Sequence, residues 1–176
     1  MAVIEAIETV YLEDDVASVS FSSLGSYEHL QLHISIRGRR DSTVNRTMIT
    51  LNSDTASNYT GHAMYGTGSS DYTFAYTNAS LFFFWNTTPG FSVPATSIGA
   101  GIYAVGSFDI LDYRNTNKNT QVMGSWGLNR GTFGEVFHES SVWNNTAAVT
   151  SIQVNMAPTY DTARGSMISL YGLNSS

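Results

Sequence analysis

The sequence predicts an all-β chain folded as one antiparallel β-sandwich or jelly-roll-like domain, and three observations predict it. Residues 30–37, LQLHISIR, alternate apolar and polar over eight positions, the period of a half-buried strand. Strand-sized segments recur along the chain, separated by turn-rich stretches such as GTGSSD and RNTNKN. Composition agrees: charged residues are only 12% of the 176 residues, aromatics are 12%, and there are 15 Gly but 3 Pro. Aromatic and β-branched residues favour strands, and Asn, Gly and Ser supply turns.

In chain order, residues 1–15 read as an N-terminal arm or edge strand, with a weak helix-like stripe of Val3, Ile7 and Val10. The domain proper is read as residues 16–176. Strand candidates follow at 16–21, 30–37, 47–51, 72–76, 81–85, 107–113, 121–126, 135–138, 148–156 and 165–172. Inward positions are Leu30, Leu32, Ile34 and Ile36, then Ile152, Val154 and Met156, then Ile168 and Leu170. No repeat or linker divides the chain.

Charge and composition narrow the function classes. The formal net charge is −6, and Lys118 is the one lysine. An acidic chain without a basic stripe argues against nucleic acid, whose phosphates dominate affinity. No apolar run approaches the roughly 20 residues of a membrane helix, so no membrane partner is expected. The N-terminus also lacks the basic and apolar regions of a signal peptide. Cysteine is absent, which removes disulfides and thiolate metal sites.

Candidate sites come from four groups. Arg37, Arg39 and Arg40 cluster at a strand end, Arg37 pointing outward, and read as a solvated strand end, with an anion or sugar-acid site or an intersubunit salt bridge as the functional alternatives. The four histidines have no metal-binding spacing: His29 and His33, four apart on a strand, would stand about 13 Å apart. Carboxylates show no facing pair, since Asp109 and Asp112 fall on opposite strand faces and Glu135 and Glu139 lie about 13 Å apart. Neither an enzyme motif nor a cofactor or metal site is legible, and none is expected. Aromatics form the fourth group. Phe82 to Trp85 are four in a row and must alternate faces in a regular strand. Phe83, Trp85 and Trp143 are therefore read as interface candidates, with a surface glycan as an alternative partner for exposed rings.

The stretch LNSDTASNY, residues 51–59, reads as a shaped turn. Asp54 and Asn58 can hydrogen-bond the loop backbone while Tyr59 pins it to the sheet. Ca²⁺ held through Asp54 is the other reading, but the further oxygens it needs are not apparent. This stretch, with FSSLGSYEHL before it and DYRNTNK, VWNNTAAVTSI and GSMISLYGL after it, resembles a family of small structural proteins of tailed bacteriophages. The family's hairpin glycines are Ser53 and Ala56 here, so Asn52, Asp54 or Asn58 must take any positive φ.

The resemblance implies a virion structural protein, foremost a capsid cement or decoration protein. Its expected partners are the major capsid protein or other virion proteins, and a homo-oligomer, a trimer above all. Six acids and no bases within residues 1–28 fit an arm docking on a basic surface. The alternative is a receptor- or carbohydrate-binding module of a tail fibre or tail tip. A fibre tip would be expected behind a long shaft, and the sequence opens at Met1 without one.

Overall fold

The computed structural model describes residues 3–85, 88–131, 133–157 and 160–174, with the side chains of residues 84, 85, 88 and 89 outside the description. Among these residues the strands are β1 (Val3–Tyr11), β2 (Ser18–Phe21), β3 (His29–Ile36), β4 (Val44–Leu51), β5 (Tyr59–Gly66), β6 (Asp71–Ala79) and β7 (Phe84–Trp85). They continue with β8 (Thr88–Pro89), β9 (Phe91–Pro94), β10 (Ala104–Leu111), β11 (Thr120–Asn129), β12 (Gly134–Trp143), β13 (Ile152–Met156) and β14 (Met167–Asn174). No helix occurs among them.

One sheet of eight strands runs in the order β1-β14-β3-β10-β11-β12-β5-β6; a second, of four, runs β2-β13-β4-β9; β7 and β8 form a separate ribbon. Every pairing is antiparallel. The two larger sheets meet face to face as a sandwich and share one core. Leu30, Leu32, Phe108 and Ile168 come from the larger sheet, and Phe21, Ile49, Val93 and Val154 from the smaller. Residues 30–36 alternate as expected, with Leu30, Leu32, Ile34 and Ile36 buried.

Aromatic rings run from the exposed Tyr72 at the β6 edge into the centre of this core. Tyr72, Tyr65, Phe137 and Trp126 stack in succession, each pair 4.6 Å between centroids. Phe83, Phe91 and Phe108 close around Trp126 at 5.3, 5.1 and 6.2 Å. Space for them is made by Gly124, where an added Cβ would lie 2.5 Å from Phe108 and 2.8 Å from Phe83.

Three expectations need correction. The first concerns the helix-like stripe of Val3, Ile7 and Val10: β1 is a strand, paired with β14 at the edge of the large sheet. A bulge between Ala6 and Glu8 inserts one extra residue, so Ile7 and Val10 turn inward three positions apart. That phase slip mimics a helical stripe in the sequence. The second concerns Phe82 and Phe83, which are both fully buried although adjacent. Phe83 has φ of 65° and so leaves the extended alternation that would have turned its ring outward. The third concerns β5 and β9, which were not anticipated. The inward positions of β5 include Gly61 and Ala63, too small to announce a strand; Gly61 lies beneath the Tyr76 ring, 2.5 Å from an added Cβ.

Candidate functional site

The 51–59 turn is built around one carboxylate. Asp54 Oδ1 accepts the Ala56 N–H at 2.9 Å; Asp54 Oδ2 accepts Asn58 Nδ2 at 2.9 Å and Trp143 Nε1 at 2.7 Å. Tyr59 is buried, donates its hydroxyl to the Asp54 carbonyl at 2.9 Å and accepts the Leu51 N–H at 3.2 Å. Positive φ falls on Asn52 and, contrary to expectation, on Ser53 itself, at 53° and 54°, and on neither Asp54 nor Asn58. Asn52 also gathers the 148–151 segment, accepting the N–H groups of Thr150 and Ser151 at 2.7 and 3.1 Å. Partial burial alone would raise the Asp54 pKa, but the donors from Asn58, Trp143, Ala56 and Asn145 outweigh it and hold the carboxyl below its ordinary value. Both oxygens face N–H donors, an arrangement that repels a cation, so the Ca²⁺ reading does not fit.

The interface candidates are redistributed. Arg37 does not point outward: it is 6% exposed, and its guanidinium organises the segment between β9 and β10. Its Nη1 donates to the Gly99 and Ile102 carbonyls at 2.8 and 3.1 Å, and its Nη2 to those of Ala95 and Ile98 at 2.8 and 2.6 Å. Phe83 and Trp143 are 0% and 1% exposed, inside the chain's own core, and present no side-chain surface to a neighbour. The Trp85 side chain lies outside the described residues. Arg39 and Arg40 remain exposed, Arg39 paired with Asp15 at 2.8 Å and Arg40 5.7 Å from the Tyr160 ring centre.

The carboxylates are also rearranged. β12 reverses the polarity its sequence suggests: Glu135 and Glu139 face the interior, 4% and 0% exposed, while Val136 between them is 70% exposed. Glu139 Oε1 accepts the hydroxyls of Tyr76 and Ser141, both at 2.6 Å. Burial, then the Glu139 charge, push the Tyr76 pKa far upward. Asp109 accepts Gln31 Nε2 at 2.7 Å, and Asp112 sits in a left-handed turn beside His29 and Lys118. Among the described residues no group of His, Asp and Glu is placed to hold a metal.

What sequence reasoning missed is the outer face of the eight-stranded sheet. Paired residues share a face, so the registers define rows across it. One row runs Ser169, His33, Ser107, Ser125, His138, Met64, Thr73. The row on one side includes Ser35, Val105, Gly127 and Val136; the row on the other includes Gln31, Asp109, Met123, Ser140 and His62. Met64, Val105, Met123 and Val136 are all exposed. These three rows contain no Lys, Arg or Glu, and a shallow trough of about 570 Å³ runs between His62, His138, Met64 and Thr73. At ~4.8 Å per strand and ~3.4 Å per residue, the face spans roughly 30 by 20 Å.

The chain was compared with protein-family models, with curated proteins and with solved structures. It matches none of them.

Proposed function

We propose that the protein is a structural component of a tailed-bacteriophage virion, a capsid cement or decoration protein that stabilises the shell by subunit contacts. The outer face of the eight-stranded sheet is the surface that meets its neighbours. The virion assignment rests on the sequence resemblance. The docking assignment rests on one observation: Val136, Met64, Met123 and Val105 stand exposed on a broad sheet face with almost no charge. Large apolar side chains grouped on one exposed face, with polar groups between them, mark an interaction surface. Its roughly 600 Å² approaches the ~800 Å² each partner gives a standard interface. Ser, His and Gln between the apolar residues supply hydrogen bonding, and Asp109 and Asp71 are the carboxylates of the three rows. The homo-oligomer reading, a trimer foremost, belongs to this proposal.

Virions assembled with the Val136→Arg chain provide the test. A guanidinium in the middle of the contact should release the protein from purified particles, while the isolated variant keeps its melting temperature, because residue 136 touches no core. Full retention at wild-type copy number would refute docking through this face.

A further inference from the structure

At one end of the sandwich, four segments close around a cleft at the β1 edge of the face just described, where Tyr11 continues the Val136 row through Met167, Ser35 and Val105. The segment after β1 is tied to the 163–166 loop, Leu12 N–H to the Ser166 carbonyl at 2.9 Å and Gly165 N–H to the Leu12 carbonyl at 2.8 Å. The turn after β3 is tied to the same region, Arg39 N–H to the Asp161 carbonyl at 3.0 Å and Ala163 N–H to the Arg37 carbonyl at 2.8 Å. The fourth segment, 95–102, is held by the Arg37 guanidinium. The cleft of about 490 Å³ between them is lined by Tyr11, Arg37, Arg39, Thr96, Tyr103 and Arg164. Its size falls within the ~300–1,000 Å³ of small-molecule sites, and its walls are preformed by backbone hydrogen bonds.

The charge here runs against that of the chain. A molecule with a formal charge of −6 and only eight Lys and Arg places three guanidinium groups on this cleft, against the single carboxylate of Asp15. Arg37 is buried, and its four guanidinium hydrogen bonds go to neutral carbonyls, so among the described residues its charge is solvated but not neutralised. A buried charge without a counter-ion favours an anion beside it. Arg39 pairs with Asp15 through Nε, and among the described residues its two terminal nitrogens form no ion pair. The exposed Arg164 side chain forms no ion pair among the described residues; only its backbone N–H meets Asp15, at 2.8 Å.

Two tyrosines supply the remaining chemistry. Tyr103 donates its hydroxyl to the Arg164 carbonyl at 2.9 Å, which fixes its ring against the 163–165 loop. Gly165 permits that approach: its φ is +83°, and an added Cβ would lie 2.5 Å from the Tyr103 hydroxyl. Tyr11, more than half exposed, stands at the cleft with its ring free to stack. Guanidinium forks match a carboxylate bidentately, and aromatic faces pack on the apolar face of a sugar ring. We propose that this cleft binds a carboxylate-bearing saccharide, of the uronic- or sialic-acid class. The inference is independent of whether the protein sits on the capsid or the tail.

The test is calorimetric titration of the intact chain with glucuronic-acid and sialic-acid oligosaccharides, their carboxyl-reduced neutral forms, and inorganic phosphate. The expected result is binding of at least one acid, weakened tenfold or more by carboxyl reduction. Arg164→Gln and Tyr11→Ala should each weaken it by a similar factor at unchanged melting temperature. The proposal is overturned if neither acid binds at millimolar concentration or if the neutral forms bind as well. It is equally overturned if phosphate alone binds as tightly, or if Arg164→Gln has no effect.

Discussion

Asp54 and Arg37 show what a single residue can and cannot announce. Every partner of the Asp54 carboxylate except Trp143 and Asn145 lies within four residues, so its turn could be read locally. The Arg37 acceptors are 58 to 65 residues away, and no local pattern records that a strand-end arginine will curl inward to hold a distant loop. Asp54 carries a pH prediction. Its folded pKa lies below the unfolded value of about 3.9, so its stabilisation is complete above that pH and is lost as pH falls through the folded pKa. Asp54→Ala, which leaves the buried Trp143 N–H without its acceptor, should cost on the order of 2 kcal/mol at neutral pH. The penalty should shrink toward pH 2. Thermal melts of the two proteins from pH 7 to pH 2 check this, and a gap that stays constant would contradict it.

Elements were legible where their side chains alternate and obscure where the backbone breaks the alternation. β3 and β13 carry large inward residues at every second position, so period 2 found them. β12 was only partly found, because its inward positions include two glutamates and its most exposed position is a valine. Glu139 is met inside by the Ser141 hydroxyl from two positions along β12 and by the Tyr76 hydroxyl from β6, and the second contact is absent from the local sequence. β1 was blurred by its bulge, which has a dynamic consequence. It is an edge strand, and of its residues only Ile7 and Val10 are partly buried against the core. Local opening is governed by such buried contact. Native-state hydrogen exchange should therefore release the β1 amides well before those of β10 and β11, whose inner residues include Phe108, Val122 and Trp126. Simultaneous exchange of all three strands would show that β1 is integral to the cooperative unit.

At the scale of the molecule, the strand order sets how far apart Val136 and Tyr11 lie. Val136 is on β12 and Tyr11 on β1, five strand spacings across the sheet, or roughly 24 Å. No described hydrogen bond or ion pair links the two positions directly, and sites so separated perturb one another little. Both face outward in one row of the sheet, so a partner centred on β12 leaves Tyr11 uncovered where its footprint stops short of β14. The expected outcome is a clean separation of variants. Val136→Arg should lose attachment to particles yet bind an acidic saccharide with unchanged affinity, and Arg164→Gln should lose the saccharide yet remain on particles at full copy number. Calorimetry on the free proteins, beside quantitative gels of purified virions, gives both readouts. Should Arg164→Gln also detach the protein, the cleft would be part of the docking surface, and its guanidinium groups would be meeting carboxylates of a neighbouring subunit in place of a sugar.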